Sequence, residues 1–183
     1  MTFPRFLFTP FLSALLVVTT SSLPAAENPM DLFGGTKWAF NPGYEFPGAK
    51  GDRRFDTVDG RQSLVVNYDF TGGGAYVIAG TRVEIAEGTS EFRFDVRADR
   101  NLKVVVRLED AEKQTHQYNL LYENPGQWQT LSLDLKATPP KSFGGSADGV
   151  IHYPISKFWV GIGKGGTSLE PGEVAVSMIR TVE

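Results

Sequence analysis

The sequence predicts an all-β chain folded as a two-sheet β-sandwich of the jelly-roll kind. Three observations predict it. Apolar residues recur at every second position in short blocks rich in Val, Leu and Phe; Gly, Pro, Asn and Asp cluster between the blocks; and no window of helical length carries an apolar period of 3.6.

The blocks follow in order. In "SLVVNYDF" Leu64, Val66, Tyr68 and Phe70 share one face, and in "SEFRFDVR" Phe92, Phe94 and Val96 do the same. "NLKVVVRLED" aligns Leu102, Val104, Val106 and Leu108, and "QWQTLSLDL" aligns Leu131, Leu133 and Leu135. "KFWVGIG" adds Phe158, Val160 and Ile162, and "GEVAVSMIRTV" places Val174, Val176 and Met178 together. Between them stand "NPGYEFPGAKG", "TVDG", "TGGG", "ENPG", "ATPPKSFGGSADG" and "GKGGTSLEPG", whose residues favour turns. Some nine or ten strands at this spacing suggest two packed sheets, since a twisted sheet of that size tends to split or close.

The N-terminus reads differently. Arg5 precedes an apolar run from Phe6 to Val18, and small residues follow up to Ala26. This is the order of a secretory signal peptide, so residues 1–26 are expected to be a leader, residues 27–183 one domain, and the protein secreted or periplasmic. No other apolar run approaches the roughly 18 residues of a spanning helix. The absence of cysteine excludes a thiol nucleophile, a Cys-ligated zinc and a lipoprotein anchor. A net charge of −3 without a clustered basic patch argues against nucleic acid and favours a neutral or weakly charged partner.

Strand parity points to a site. If Leu102, Val104, Val106 and Leu108 face the core, Lys103, Val105 and Arg107 face away, as does Trp159 on another strand. A large aromatic outside the core, beside Arg and Tyr, offers a platform for a sugar ring; its other use is to cover an edge or lie under a loop. The loop "SFGGSADGVIHYP" supplies Asp148, His152 and Tyr153, and "EKQTHQYNLL" supplies His116. Acid–base or metal chemistry finds little support, because the chain has two histidines, no HExxH and no GxSxG. Hydrogen bonding to hydroxyls uses the same residue types on a rigid sandwich.

Other segments read more plainly. Glu109 and Asp110 end a strand and enter "EDAEKQ", which reads as a solvated hairpin rather than half of a carboxylate pair. "TGGGAYVIAG" lacks the GK[ST] of a phosphate loop, so its glycines serve a tight bend or a close approach, and Tyr76 projects into a groove. Trp128 reads as a packing residue. Tyr118 and Tyr122 share a face with His116; that face points out toward a ligand or, with Leu120, inward.

The order of these blocks, from "DLFGGTKW" through "KVVVRLEDAEKQTHQY" to "GEVAVSMIRTV", resembles secreted carbohydrate-binding modules with the galactose-binding-like jelly roll, especially the glucan-binding family 11 type. It is similar also to non-catalytic N-terminal domains of bacterial glycoside hydrolases. The resemblance implies a groove for a polysaccharide, a β-glucan or related plant or algal glycan, with association with a glycoside hydrolase. Carried onto this chain it implies ligand contacts from Tyr76, His116, Asp148, His152 and Tyr153; Arg107 and Trp159, read from strand parity, and Tyr118, on the face of His116, join them as ligand-binding candidates. It implies structural calcium held by Asp31 and Glu45, although Ser177 stands where such modules usually carry an aspartate. The rival expectations are an envelope-assembly or protein-interaction sandwich and a small polysaccharide hydrolase or lyase.

Overall fold

The computed structural model describes residues 25–33, 36–165 and 169–183. The expected leader lies outside the described residues except for Ala25 and Ala26. The described chain forms strands β1 (Glu27–Pro29), β2 (Ala39–Asn41), β3 (Lys50–Val58), β4 (Arg61–Asp69), β5 (Tyr76–Ile85), β6 (Glu91–Ala98), β7 (Leu102–Glu109), β8 (Thr115–Tyr122), β9 (Gln129–Asp134), β10 (Ser142–Phe143), β11 (Ile155–Gly163) and β12 (Gly172–Val182).

They make two antiparallel sheets. The first runs β3-β4-β12-β6-β9, with β1 pairing the far end of β12, and the second runs β10-β8-β7-β11-β5-β2. The described residues form twelve strands against the nine or ten expected; β1, β2 and β10 have two or three residues each, too short to show a period. Strand β3, "KGDRRFDTV", is a charged and largely exposed edge, so its apolar alternation is absent.

The predicted apolar faces meet between the sheets. Leu64, Val66, Phe92, Phe94, Val96, Val104, Val106, Leu108, Phe158, Val160 and Ile162 are all wholly buried. Phe158 stands at the aromatic centre, with ring centroids 4.9 Å from Phe92, 5.9 Å from Phe94 and 6.1 Å from Trp38. Trp38 Nε1–H donates to the Leu32 carbonyl at 2.8 Å, satisfying its one polar atom inside the core.

Two expectations are corrected. Met178 is exposed: the β12–β6 register shifts between Ser177 and Arg180, Met178 has φ of 49°, and Ile179 and Val182 take over the buried side. The "EDAEKQ" turn is not solvated throughout. Asp110 is fully buried, and its carboxylate accepts from Glu112 N (3.0 Å), Gln114 N (2.9 Å), His152 N (3.1 Å) and His116 Nε2 (3.1 Å). One anion thereby organises the β7–β8 turn and the entry to β11. Burial pushes the Asp110 carboxyl up, but the bonds from His152 N–H, His116 and Gln114 N–H outweigh it and hold it below the ordinary aspartate value.

Replacing Asp110 by Ala is expected to cost about 3–5 kcal/mol, because buried donors lose their acceptor at once. Urea denaturation measures it, and a cost under about 1 kcal/mol would show that Asp110 is not an organising anion. Since its folded value is depressed, the stabilisation is complete above about pH 4 and is lost as pH falls through that lowered value.

Candidate functional site

The outer face of the second sheet carries the candidate ligand-binding site. Strand register lines up Gln117, Arg107, Trp159, Gly80 and Ala39 across β8, β7, β11, β5 and β2. The next row outward is Asn119, Val105, Gly161, Ile78 and Asn41. Gly80 and Gly161 put no side chain into the face beside Trp159. A Cβ at Gly80 would lie 2.1 Å from Trp159 Cδ2, so the indole lies across the space that any larger residue would fill. Two cavities flank that ring. One of about 130 Å³ is lined by Asn41, Ile78, Arg107, Thr115 and Phe143 as well as Trp159. The other, of about 270 Å³, is lined by Lys37, Trp38, Ala39, Gly80, Thr81, Arg82, Lys157 and Trp159.

Arg107 is fixed among aromatic and amide groups. Its guanidinium lies 4.2 Å from the Tyr76 ring centroid and 5.7 Å from that of Phe143, and Nε donates to Gln117 Oε1 at 2.9 Å. Tyr76 is itself buried under the 42–49 segment: its hydroxyl donates to Glu45, and Phe46 meets its ring edge-on at 6.4 Å. The Tyr76 bond holds the Glu45 carboxyl below its ordinary value, while burial, with Glu45 adding, raises the Tyr76 phenol. Tyr76 is therefore the support beneath Arg107 rather than an open platform.

The triple glycine explains how that segment stays down. A Cβ at Gly48 would fall 2.3 Å from the Gly72 carbonyl oxygen, and one at Gly72 would fall 2.7 Å from that of Gly48. The two backbones touch directly, which accounts for the close approach expected of "TGGG". Tyr44 and Phe46, 77% and 53% exposed, then stand at the rim.

The 144–152 loop is organised by its own contacts. Asp148 accepts from Gln114 Nε2 (2.9 Å) and Val150 N (2.9 Å), and its other oxygen lies 3.0 Å from His152 Nε2. Glu112 lies 3.6 Å from His152 Nδ1. The Val150 N–H, the Gln114 amide and His152, in that order, hold the Asp148 carboxyl far below the usual range. The hydrogen bond to Asp148, with the Glu112, Asp148 and Asp110 charges, raises His152 against desolvation. Tyr153 is half-buried against the core, and burial raises its phenol. Among the described residues, Asp148, His152 and Tyr153 line neither cavity beside Trp159. The loop meets that face instead through Phe143, at its start.

His116 and Tyr118 turn out to sit on the opposite side of the sheet from Arg107. His116 is fully buried, with Nδ1 2.8 Å from the Ser142 hydroxyl and Nε2–H on Asp110, and burial pushes the Tyr118 phenol up to about 12. The inward alternative for that face, with Leu120, is the one the fold takes. Both side chains therefore lie inside the sandwich, away from the outer face that carries Arg107 and Trp159. Asp31 accepts from Phe33 N at 3.3 Å and lines a cavity against β12, whereas Glu45 is bonded to Tyr76 of the second sheet. The two carboxylates thus serve different neighbours, and among the described residues no group of three metal-ligating side chains comes together. Ser177 is buried and donates to the Gln62 carbonyl at 2.7 Å.

Sequence reasoning missed Lys37, Asn41, Ile78, Arg82, Phe143 and Gln117. Outward parity marks Gln117 once Arg107 is assigned; Lys37, Asn41 and Phe143 lie on pieces too short for parity to apply.

Gly80→Ala is expected to displace the Trp159 ring and cost about 1–3 kcal/mol. The Trp159 indole N–H resonance should move while those of Trp38 and Trp128 hold; an unmoved Trp159 signal would refute the packing described. By NMR titration His152 should show a value above about 6.5, falling toward it in Asp148→Asn. The loop stabilisation it supplies is full below about pH 6.5 and lost as pH climbs through the raised folded value.

No protein-family model matches the chain, and no curated protein matches it in sequence. Solved structures do match in shape. A family 11 carbohydrate-binding module from Clostridium thermocellum, in complex with a β-1,3-1,4-mixed-linked tetrasaccharide, superposes with a TM-score of 0.64 at 14% identity, covering 87% of this chain and 96% of that one. The agarase AgWH50C matches with a TM-score of 0.52 at 16% identity, and PfGH50B with 0.56 at 11%; each covers 86% of this chain and 24% of its own. The chain therefore has the β-sandwich fold of the family 11 modules, a fold found also within much longer agarase chains.

Proposed function

We propose that this chain is a non-catalytic carbohydrate-binding module that takes a polysaccharide along the outer face of its second sheet. The observation that carries the reading is Trp159, laid over Gly80 between two cavities on a face whose neighbours are hydrogen-bonding side chains. A pyranose ring stacks on an indole through its C–H face, and Arg107, Gln117, Asn41 and Thr115 supply donors and acceptors for hydroxyls at its edges. Arg107 is held in place before ligand arrives, which reduces the ordering cost of binding.

The carboxylates bordering the face support a binding rather than a hydrolytic role. Glu45 is bonded to Tyr76, and Glu109 takes both contacts of Lys157, at 2.9 Å and 3.0 Å. A glycosidase needs two carboxyl groups opposed across the scissile bond. The fold shared with a mixed-linkage glucan binder and with agarase domains supports a β-glucan or a related plant or algal glycan as ligand. Secretion or periplasmic export by residues 1–26, and a working association with a glycoside hydrolase, belong to the same proposal. Structural calcium at Asp31 and Glu45 belongs to the same proposal.

Affinity electrophoresis against β-glucans and galactans, with and without calcium, tests the reading. Trp159→Ala, folded by circular dichroism, is expected to weaken binding about tenfold or more, equivalent to about 1.4 kcal/mol. Binding that Trp159→Ala leaves intact would place the site elsewhere, and silence across the panel would favour a protein partner.

A further inference from the structure

The whole chain is acidic, yet the cavity on the Lys37 side of Trp159 is cationic. Lys37, Arg82 and Lys157 all line it. Lys157 is answered by Glu109, 2.9 Å away. Lys37 and Arg82 have no acidic partner among the described residues, and Glu84, two positions beyond Arg82 on the same strand, is not within ion-pair reach of either. The two cations are neighbours by construction of the sheet. Thr81 Oγ1 donates to the Lys37 carbonyl at 3.0 Å, Ala39 is registered opposite Gly80, and Arg82 is registered opposite Lys157.

Resting on the carbohydrate reading, we propose that this face selects an anionic glycan, whose sulfate ester or uronate carboxylate is received by Lys37 and Arg82 while the sugar ring stacks on Trp159. A neutral hydroxyl needs both donors and acceptors around it, whereas two unanswered cations present donors alone. Guanidinium and ammonium groups bind sulfate and carboxylate oxygens through charge-assisted hydrogen bonds, the guanidinium with two parallel N–H groups. The indole beside them brings the ring within reach and shields the ion contact from water on one side. The net charge of −3 opposes indiscriminate polyanion capture, so the attraction is local to the cavity. This replaces the neutral or weakly charged partner that the whole-chain balance favours.

The test compares one polysaccharide backbone in three forms, neutral, sulfated and oxidised to the C6 carboxylate, on both a β-glucan and a galactan. Titration calorimetry on the full chain at low salt is run for the unaltered protein, for Lys37→Ala/Arg82→Ala and for Trp159→Ala, each checked for folding. Dextran sulfate reports non-specific capture. The expected result is at least tenfold tighter binding of one anionic form than of its neutral parent, declining as salt screens the contact. The double substitution should bring that ratio to within about twofold of one, and Trp159→Ala should weaken the anionic form. Which form gains separates sulfate from uronate. Equal affinity for neutral and anionic forms, a preference that survives the double substitution, or equal binding of dextran sulfate would each overturn the proposal. Neutral binding lost in Trp159→Ala without any anionic gain would leave the carbohydrate reading standing alone. No binding of any form would remove both.

Discussion

The alternation of side chains along β11 is the constraint on which both the interior and the candidate site depend. Phe158 points in and packs on Phe92, Phe94 and Trp38, while Trp159 points out over Gly80. The strand lies between β7 and β5, paired on both edges, so its register is held along nearly its whole length. A slip of one residue would bring Trp159 inside and expose Phe158, undoing core and groove together. The same register that buries Phe158 therefore sets the position of Trp159.

A second organising element is Asp110. It sits at the end of β7, collects donors from the β7–β8 turn, from His116 on β8 and from His152 before β11, and so ties three segments to one buried charge. His116 passes the connection to Ser142 of β10, and β10 places Phe143 against Arg107. The loop that looks most like chemistry in the sequence thus contributes to the candidate site indirectly. Its Asp148 and His152 close the loop on Gln114 and Glu112, and its first aromatic residue shapes the rim.

The charge pattern shows why a whole-chain balance is a poor guide to a partner. Much of the charge on the first sheet is spent in ion pairs such as Arg61 and Arg180 with Asp95, or Arg93 with Glu27 and Glu91. What a ligand meets is the local remainder. Beside Trp159 that remainder is positive, although the sum over the chain is −3.

Fold class and the buried faces of β4, β6, β7, β9 and β11 were legible in the sequence, because a two-residue period directly records which side of a strand meets apolar surroundings. The outward placement of Arg107 and Trp159 followed from the same rule. His116 and Tyr118 did not, because β8 mixes polar and apolar residues on both faces, and only the packed sheets decide that Asp110 and Ser142 satisfy the histidine inside. Met178 escaped because a bulge resets parity without a sequence signal. The sequence by itself determined the sandwich and the opposed faces of its regular strands, since those are local properties of the backbone. Only the tertiary structure decided that Lys37, Arg82 and Arg107 gather around Trp159, because they come from separate strands whose order and register are long-range choices.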